Sequence, residues 1–524
     1  MPRPSTRSSL RTSSCAVLAS VLLLAGCDGG PSDAVDGGED AAFTVVSTSP
    51  EDGAADVAVE ASIRVTFSAP CEPSTVTAES FTLSLDGALV DAAVSVDGDT
   101  ATLTPSAPLL DSATYTAAVE ASVADVDGRA LAAQHTWQFS TAAPGRAPRL
   151  SMDALTYAGA FRLRNGMFGV SRLDYAVGTL AFNPENRSLF VVGHAHQSAV
   201  AEFPLVEPGM QTEVAELPVT DDPIQPFVDV LSTAGNPESL DRVTGMLWVD
   251  GALLINAEQW YDAPGDNEDT TVVIADADDL AGARGGWFEL SGAARSAGYM
   301  GAIPMPWQEA FGATHYTGWS SVYSIISRYS IGPSLWSFAP GDLIAGDADA
   351  SPAVDATPHM SFPFPDRMLD ERGTEYAAQG TPGPFPPASP VWNALSRGMY
   401  GFFAPGTRTF VVVGSTAGLE TGIGYKAVQE DGHTCGGPCP YGVDDRYNYY
   451  WLFDVEDLLA AENAHDPRPY DYGVWEVPFA PGASHLIVGA TLDAEERVLY
   501  VALGGAGQVG DYDRPPLIVT FTLP

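Results

Sequence analysis

The chain has 524 residues, with 24 Lys and Arg against 67 Asp and Glu, a formal charge of −43, and a 45% hydrophobic content. That length predicts two or more domains with ample apolar sequence for a core, so a mainly disordered chain is excluded. The acidity excludes a nucleic-acid surface, whose affinity comes from Lys and Arg neutralising phosphates, and argues against recruitment by anionic lipid heads.

At the start, Arg3, Arg7 and Arg11 precede an apolar run from Ala16 to Leu24, which ends in Leu24-Ala25-Gly26-Cys27. Nine apolar residues are too few to span a bilayer. A basic start, a short apolar stretch and small residues before a cysteine resemble a bacterial lipoprotein signal. The resemblance implies cleavage before Cys27, a diacylglyceryl anchor on its thiol, and an extracytoplasmic envelope address for residues 27–524. Removing residues 1–26 deletes three arginines and no acid, so the charge becomes −46. Residues 28–42 carry almost no large apolar side chain, so nothing offsets their ordering entropy and the segment reads as a tether.

From 43 to 142 the pattern changes to short alternating runs: Ile63, Val65, Phe67; Phe81, Leu83, Leu85; Tyr115, Ala117, Val119; Trp137, Phe139. Alternation between turn residues predicts an antiparallel sandwich of about seven strands. The stretches Ser47–Gly53, Ile63–Ser68, Asp125–Leu131 and Trp137–Thr141 resemble the bacterial Ig-like domain of the surface-layer (SbsA-like) type. That resemblance implies a spacer or adhesion module without an active site. Cys71, which has no partner in the sandwich, reads as a small buried thiol. Residues 143–149, with two prolines and a glycine, read as a linker.

Residues 150–524 contain an internal repeat in which a glycine opens an apolar strand, followed by a turn and a second apolar strand. The copies are Gly178–Gly193, Gly245–Asn256, Gly398–Gly414 and Gly489–Gly504, with a weaker one from Gly301. Further strands follow at Ala199–Leu205, Thr271–Ala275, Tyr449–Asp454 and Leu517–Leu523. A hairpin, a third strand and an outer strand make a β-propeller blade. The fold class is therefore all-β: an Ig-like sandwich followed by a β-propeller of five blades, six or seven also fitting the uneven spacing. The lone strand Leu155–Leu163 is expected to close the ring beside Pro516–Pro524, which removes an exposed edge. This lone strand, with Ser188–Glu202, resembles uncharacterised secreted bacterial proteins of propeller type, which implies the fold and transfers no activity.

In such a ring, the loops entering first strands and those leaving second strands share one face. That face is expected to hold Asp174, Glu238, Asp241, Arg242 and Arg397 from the first set, and His194, His196, Gln197, Glu258, Gln259 and Trp260 from the second. His315 and Trp319 are further candidates. Two histidines at i and i+2 on a strand end point the same way and, with Glu258, suit a metal, although hydrogen-bonded loop histidines explain them as well. Asp262-Ala-Pro-Gly-Asp-Asn-Glu-Asp269 places Asp262, Asp266, Glu268 and Asp269 in one loop, a set of oxygens that a calcium site requires, but without EF-hand spacing; in so acidic a chain a solvated loop is the better reading, with calcium as the alternative. Cys435-Gly-Gly-Pro-Cys439 reads as a small disulfide closing a loop. No Gly-x-Ser-x-Gly, phosphate loop or dinucleotide fingerprint occurs, and Lys426 is the single lysine.

These readings favour an exported lipoprotein that presents a propeller binding domain for a glycan or another surface protein. The alternative is a polysaccharide hydrolase or lyase, which needs paired acids such as Asp174, Glu238 and Asp241 to converge. The innermost strands are poor in acid, Asp250 being the exception, which weighs against it. A third reading is a purely structural envelope protein, marked by a mouth filled with apolar residues.

Overall fold

A computed structural model describes residues 42–524 except 60, 86, 144–145, 234, 263, 283–285, 320–329, 345–352, 369–376 and 511–512. Cys27, with the signal and the tether, lies outside the described residues apart from Ala42. The protein is all-β, and Phe43–Pro524 forms one compact unit.

Residues 45–141 fold into two facing sheets. One orders Val45–Ser49, Ile63–Phe67, Thr100–Pro105 and Ala92–Asp97. The other orders Ala54–Val57, His135–Thr141, Thr114–Val119, Phe81–Leu85 and the short Ala88–Leu89. Period-two alternation sends one face of each strand inward. Ile63, Val65, Phe67, Phe81, Leu83, Tyr115, Ala117, Val119, Trp137 and Phe139 accordingly make the core. Cys71 is a buried free thiol donating to the Gly98 carbonyl at 3.5 Å.

The remaining chain forms five antiparallel sheets and a small two-stranded ladder among the described residues. The first sheet comprises Leu180–Asn183, Ser188–Val192, Val200–Pro204 and Gln225–Val228. The second comprises Arg242–Val249, Ala252–Glu258, Thr271–Ile274 and Trp287–Leu290, with Ala353–Val354 added in parallel at its edge. The third comprises Met300–Ala302, His315–Thr317, Leu335–Phe338 and Ala356–Met360. The fourth comprises Arg397–Phe403, Thr409–Ala417, Arg446–Asp454 and Asp471–Val474. The fifth joins Ile487–Asp493, Val498–Leu503 and Leu517–Thr522 to Thr156–Arg162 from the start of the region. Residues more than 350 positions apart thus share one ladder, with Thr156 opposite Thr522 and Arg162 opposite Leu517.

Polar contacts link each sheet to the next. Thr179 Oγ1 donates to the Val243 carbonyl at 3.3 Å, linking the first sheet to the second. Asn256 Nδ2 donates to the Gly298 carbonyl at 2.8 Å and to Thr317 Oγ1 at 3.0 Å, linking second to third. Tyr316 donates its hydroxyl to the Gly401 carbonyl at 2.7 Å, and Tyr400 accepts from the Leu492 amide at 3.2 Å, which carries the sequence through the fourth sheet to the fifth. Thr491 Oγ1 accepts from the Phe182 amide at 3.1 Å and returns it to the first. Two repeat glycines sit where backbones approach too closely for a side chain: a Cβ on Gly245 would strike the Gly298 carbonyl, and one on Gly489 the Gly178 carbonyl.

The segment expected as a linker is built into an ion-pair seam. Asp56 of the sandwich pairs with Arg146 at 3.0 Å and with Arg408, in the bend before Thr409–Ala417 of the fourth sheet. Arg408, fully buried, also reaches Asp454 at 3.1 Å and Glu456 at 2.7 Å, while Arg149 meets Asp454 at 2.7 Å. Backbone bonds from Arg149 N to the Asp56 carbonyl and from Arg408 N to the Pro148 carbonyl, each 3.0 Å, complete the join.

Candidate functional site

Five side chains separated by up to 155 positions meet at one point. Arg242, Glu258, Trp260, Trp319 and Arg397 line a cavity of about 70 Å³, together with Val177, Thr179, Val243, Thr244 and Met399. The strand ends explain the convergence. Arg242 and Arg397 open the first strands of the second and fourth sheets, Glu258 ends the second strand of the second sheet, and Trp319 follows the second strand of the third.

Arg242 and Glu258 are cross-strand partners, so the ladder sets them side by side. The Arg242 guanidinium lies 3.6 Å over the Trp260 ring, a cation–π contact that fixes its plane. Glu258 is 3% exposed. An ionised carboxylate so buried must be hydrogen-bonded, and the Trp319 indole donates to its Oε2 at 3.0 Å. Trp319 is held in turn: its amide donates to Ser334 Oγ at 2.7 Å, and that hydroxyl lies 2.8 Å from its carbonyl. The five residues absent from the expected set, Val177, Thr179, Val243, Thr244 and Met399, flank or adjoin the repeat glycines Gly178, Gly245 and Gly398. That position in the repeat was the available signal.

The acids proposed for catalysis are each engaged by nearby donors. Asp174 is buried beneath Arg172, accepting from Asn165 Nδ2 at 3.1 Å and from the Arg514 amide at 3.0 Å. Glu238 accepts from the Glu268 amide with both oxygens at 2.9 Å. Asp241, exposed, accepts from the Trp260 amide at 2.9 Å. Each carboxylate closes a loop by satisfying backbone donors, a use that acid spacing does not distinguish from chemistry.

His194, bridged to Ala176 just past a strand end, opens the tight turn that carries His196, with ring centroids 5.0 Å apart and planes at 87°. His194 Nδ1 accepts from the His196 amide at 3.1 Å. With that lone pair engaged, the neutral imidazole carries its proton on Nε2. Burial first, then the neighbouring His196 and Arg172, holds its pKa below the usual value. Gln197 is exposed beside them, and Gln259 is half-buried. His315 sits within its sheet, bonded to Thr314 at 2.9 Å and pushed down to about 4 by burial.

Asp262 is fully buried, accepting from the amides of Gly265 at 2.8 Å, Asp266 at 3.4 Å and Asn267 at 3.2 Å. Its oxygens are thus directed into the loop. Asp266 and Glu268 are exposed, and burial followed by the Glu268 charge raises the Asp269 pKa. Among the described residues no group of three or more His, Cys, Asp or Glu stands together as a metal would require, neither in this loop nor around His194, His196 and Glu258. Cys435 and Cys439 are joined by a disulfide beside the ladder of Ile423–Tyr425 and Pro438–Pro440.

Comparison with known proteins adds one firm match. Residues 39–141 match the bacterial Ig-like domain family. The Ig-like domain fits an exported, cell-surface protein. Similar solved structures include a putative phosphatase from Bacteroides thetaiotaomicron, 12% identical, covering 92% of this chain and 98% of that one at a TM-score of 0.27. A protein of unknown function from the same organism is 8% identical, covering 92% and 99% at 0.28. The N-terminal part of the bacterial S-layer protein SbsC is 18% identical, covering 41% and 40% at 0.17. At such scores these likenesses assign neither a fold nor an activity beyond the Ig-like domain. No curated protein matches the chain.

Proposed function

We propose that the protein is an exported envelope lipoprotein, anchored through Cys27, whose five sheets are the blades of a β-propeller that binds a glycan without cleaving it. Supporting the propeller are the four antiparallel strands present in each of the five sheets, the second with a short parallel strand added, the chain of contacts from each to the next, and the pairing of Thr156–Arg162 with the C-terminal strand. Such pairing leaves no open edge between first and last blade.

The observation carrying the function is the convergence of Arg242, Glu258, Trp260, Trp319 and Arg397 on one cavity. Aromatic rings with a few fixed polar groups suit a sugar, whose ring has apolar faces and hydroxyl edges. Glycoside hydrolysis by the usual route needs two carboxylates about 5–9 Å apart, and Glu258 is the single carboxylate among the described lining residues. The test is a glycan array probed with the full mature chain, wild type and Trp260→Ala, following retention and release of reducing sugar. Retention without release, at least tenfold weaker in the variant, is expected; release of reducing sugar would overturn the non-catalytic reading.

A further inference from the structure

Resting on the glycan-binding reading, we propose that the cavity recognises a carboxylate on a sparsely charged sugar, with Arg242 as the residue that reads it. Size comes first. Pockets that swallow a small molecule hold about 300–1,000 Å³. The cavity here, about 70 Å³, takes one substituent while the rest of the ligand lies across the mouth.

Charge identifies the substituent. Two of the ten described lining residues are arginines, in a chain with 24 basic residues among 524, and one is an acid. The lining is therefore locally cationic on a strongly anionic protein. Stacked 3.6 Å over Trp260, the Arg242 guanidinium is held in plane with its N–H edge as the binding element, the geometry that matches a carboxylate in a two-point contact. Trp260 acts as the shelf that positions this group. The Trp319 bond to Glu258 keeps the one acid in a fixed place.

Geometry also separates a sugar carboxylate from a peptide C-terminus, which proteins capture in a nest of unpaired backbone amides. Here the amides of Asp241 and Trp260 are committed, Asp241 N to the Glu258 carbonyl at 3.0 Å and Trp260 N to Asp241 at 2.9 Å. Tyr261, next along the chain, is 65% exposed and offers a ring for the outlying sugar. The chain's formal charge of −43 repels a dense polyanion over about a Debye length, roughly 8 Å at physiological salt, so one carboxylate per recognised unit fits better than one on every sugar.

The experiment titrates the full mature chain with methyl glucuronoside and methyl glucoside, which differ in the carboxylate alone, and follows ligand binding by saturation-transfer NMR. A sulfated glucoside is the third arm. The expected result is binding of the glucuronoside at least tenfold tighter than either other sugar, lost in Arg242→Gln and weakened in Arg242→Lys, with unchanged unfolding midpoints. Equal binding of glucuronoside and glucoside overturns the carboxylate proposal and leaves glycan binding standing. Equal binding of the sulfated sugar overturns carboxylate selectivity. Binding of none of the three, with retention of neutral glycans on the array, overturns this proposal alone; silence in both assays overturns the two together.

Discussion

Arg408→Ala is expected to destabilise the protein by about 3–5 kcal/mol, the usual cost of removing one partner from a buried ion pair. Arg408 is fully buried between Asp56 of the Ig-like domain, Asp454 at the end of the fourth sheet's third strand, and Glu456 in the helix Val455–Ala460 that follows, with Asp454 only 2% exposed. Truncation strands Asp454 with Arg149 as its remaining charge partner, at 2.7 Å. Glu456 shows the seam's field: the hydrogen bond from Arg146, and after it the charge of Arg408, hold its carboxyl below the usual range. Guanidinium unfolding measures the loss, and limited proteolysis at residues 143–149 reports whether the two regions separate. A change below about 1 kcal/mol with no added cleavage contradicts this view of the seam.

The second large effect is a dependence on pH set by Asp471. Burial first, then the Glu51 charge, raises its pKa to about 7; the Tyr450 hydroxyl, 3.3–3.4 Å away, opposes this by donating to it, and Asp153 adds a smaller push. Tyr470 faces the same site, and Arg64 offsets Asp153 at 3.3 Å. Between the unfolded value near 4 and the folded value near 7, the native protein keeps a proton that the unfolded chain has released. Stability contributed by this group is therefore full below about pH 4 and falls as pH rises to about 7. A tenfold difference in proton affinity between the folded and unfolded chain corresponds to about 1.4 kcal/mol, and solvent at this partly exposed position reduces the total to roughly 2 kcal/mol. Asp471→Asn keeps an acceptor for Tyr450 and cannot ionise. It is expected to match the wild type at pH 4 and to exceed it at pH 8 by that amount, read from unfolding midpoints. Parallel curves at both pH values would contradict the assignment.

Particular residues show how far the sequence carried. The alternation of Ile63, Val65 and Phe67, or of Tyr115, Ala117 and Val119, is the inward face of the sandwich strands, because a period of two is a backbone property that the side chains must follow. The repeated glycine was legible because close backbone approach at Gly245 and Gly489 excludes every other residue. Arg242, Glu258, Trp260 and Arg397 could be found by their place at strand ends of the repeat. Asp174 and Glu238 looked similar by the same rule, and Asp262 by the acidity of its loop, yet each accepts backbone N–H groups of its neighbourhood, a contact that no spacing records. The ion-pair seam was invisible for a related reason. Asp56 and Arg408 stand 352 positions apart, and two prolines and a glycine in residues 143–149 signal a linker whether or not Arg146 and Arg149 bind across it.

The measurement that tests the central claim most directly is hydrogen exchange on the full mature chain, with and without a glycan retained on the array. Slowed exchange confined to residues 177–179, 242–244, 258–260 and 397–399, the strand ends around the cavity, is the expected result. Protection on the Ig-like domain or elsewhere in the five sheets, with these strand ends unchanged, would contradict binding at this cavity.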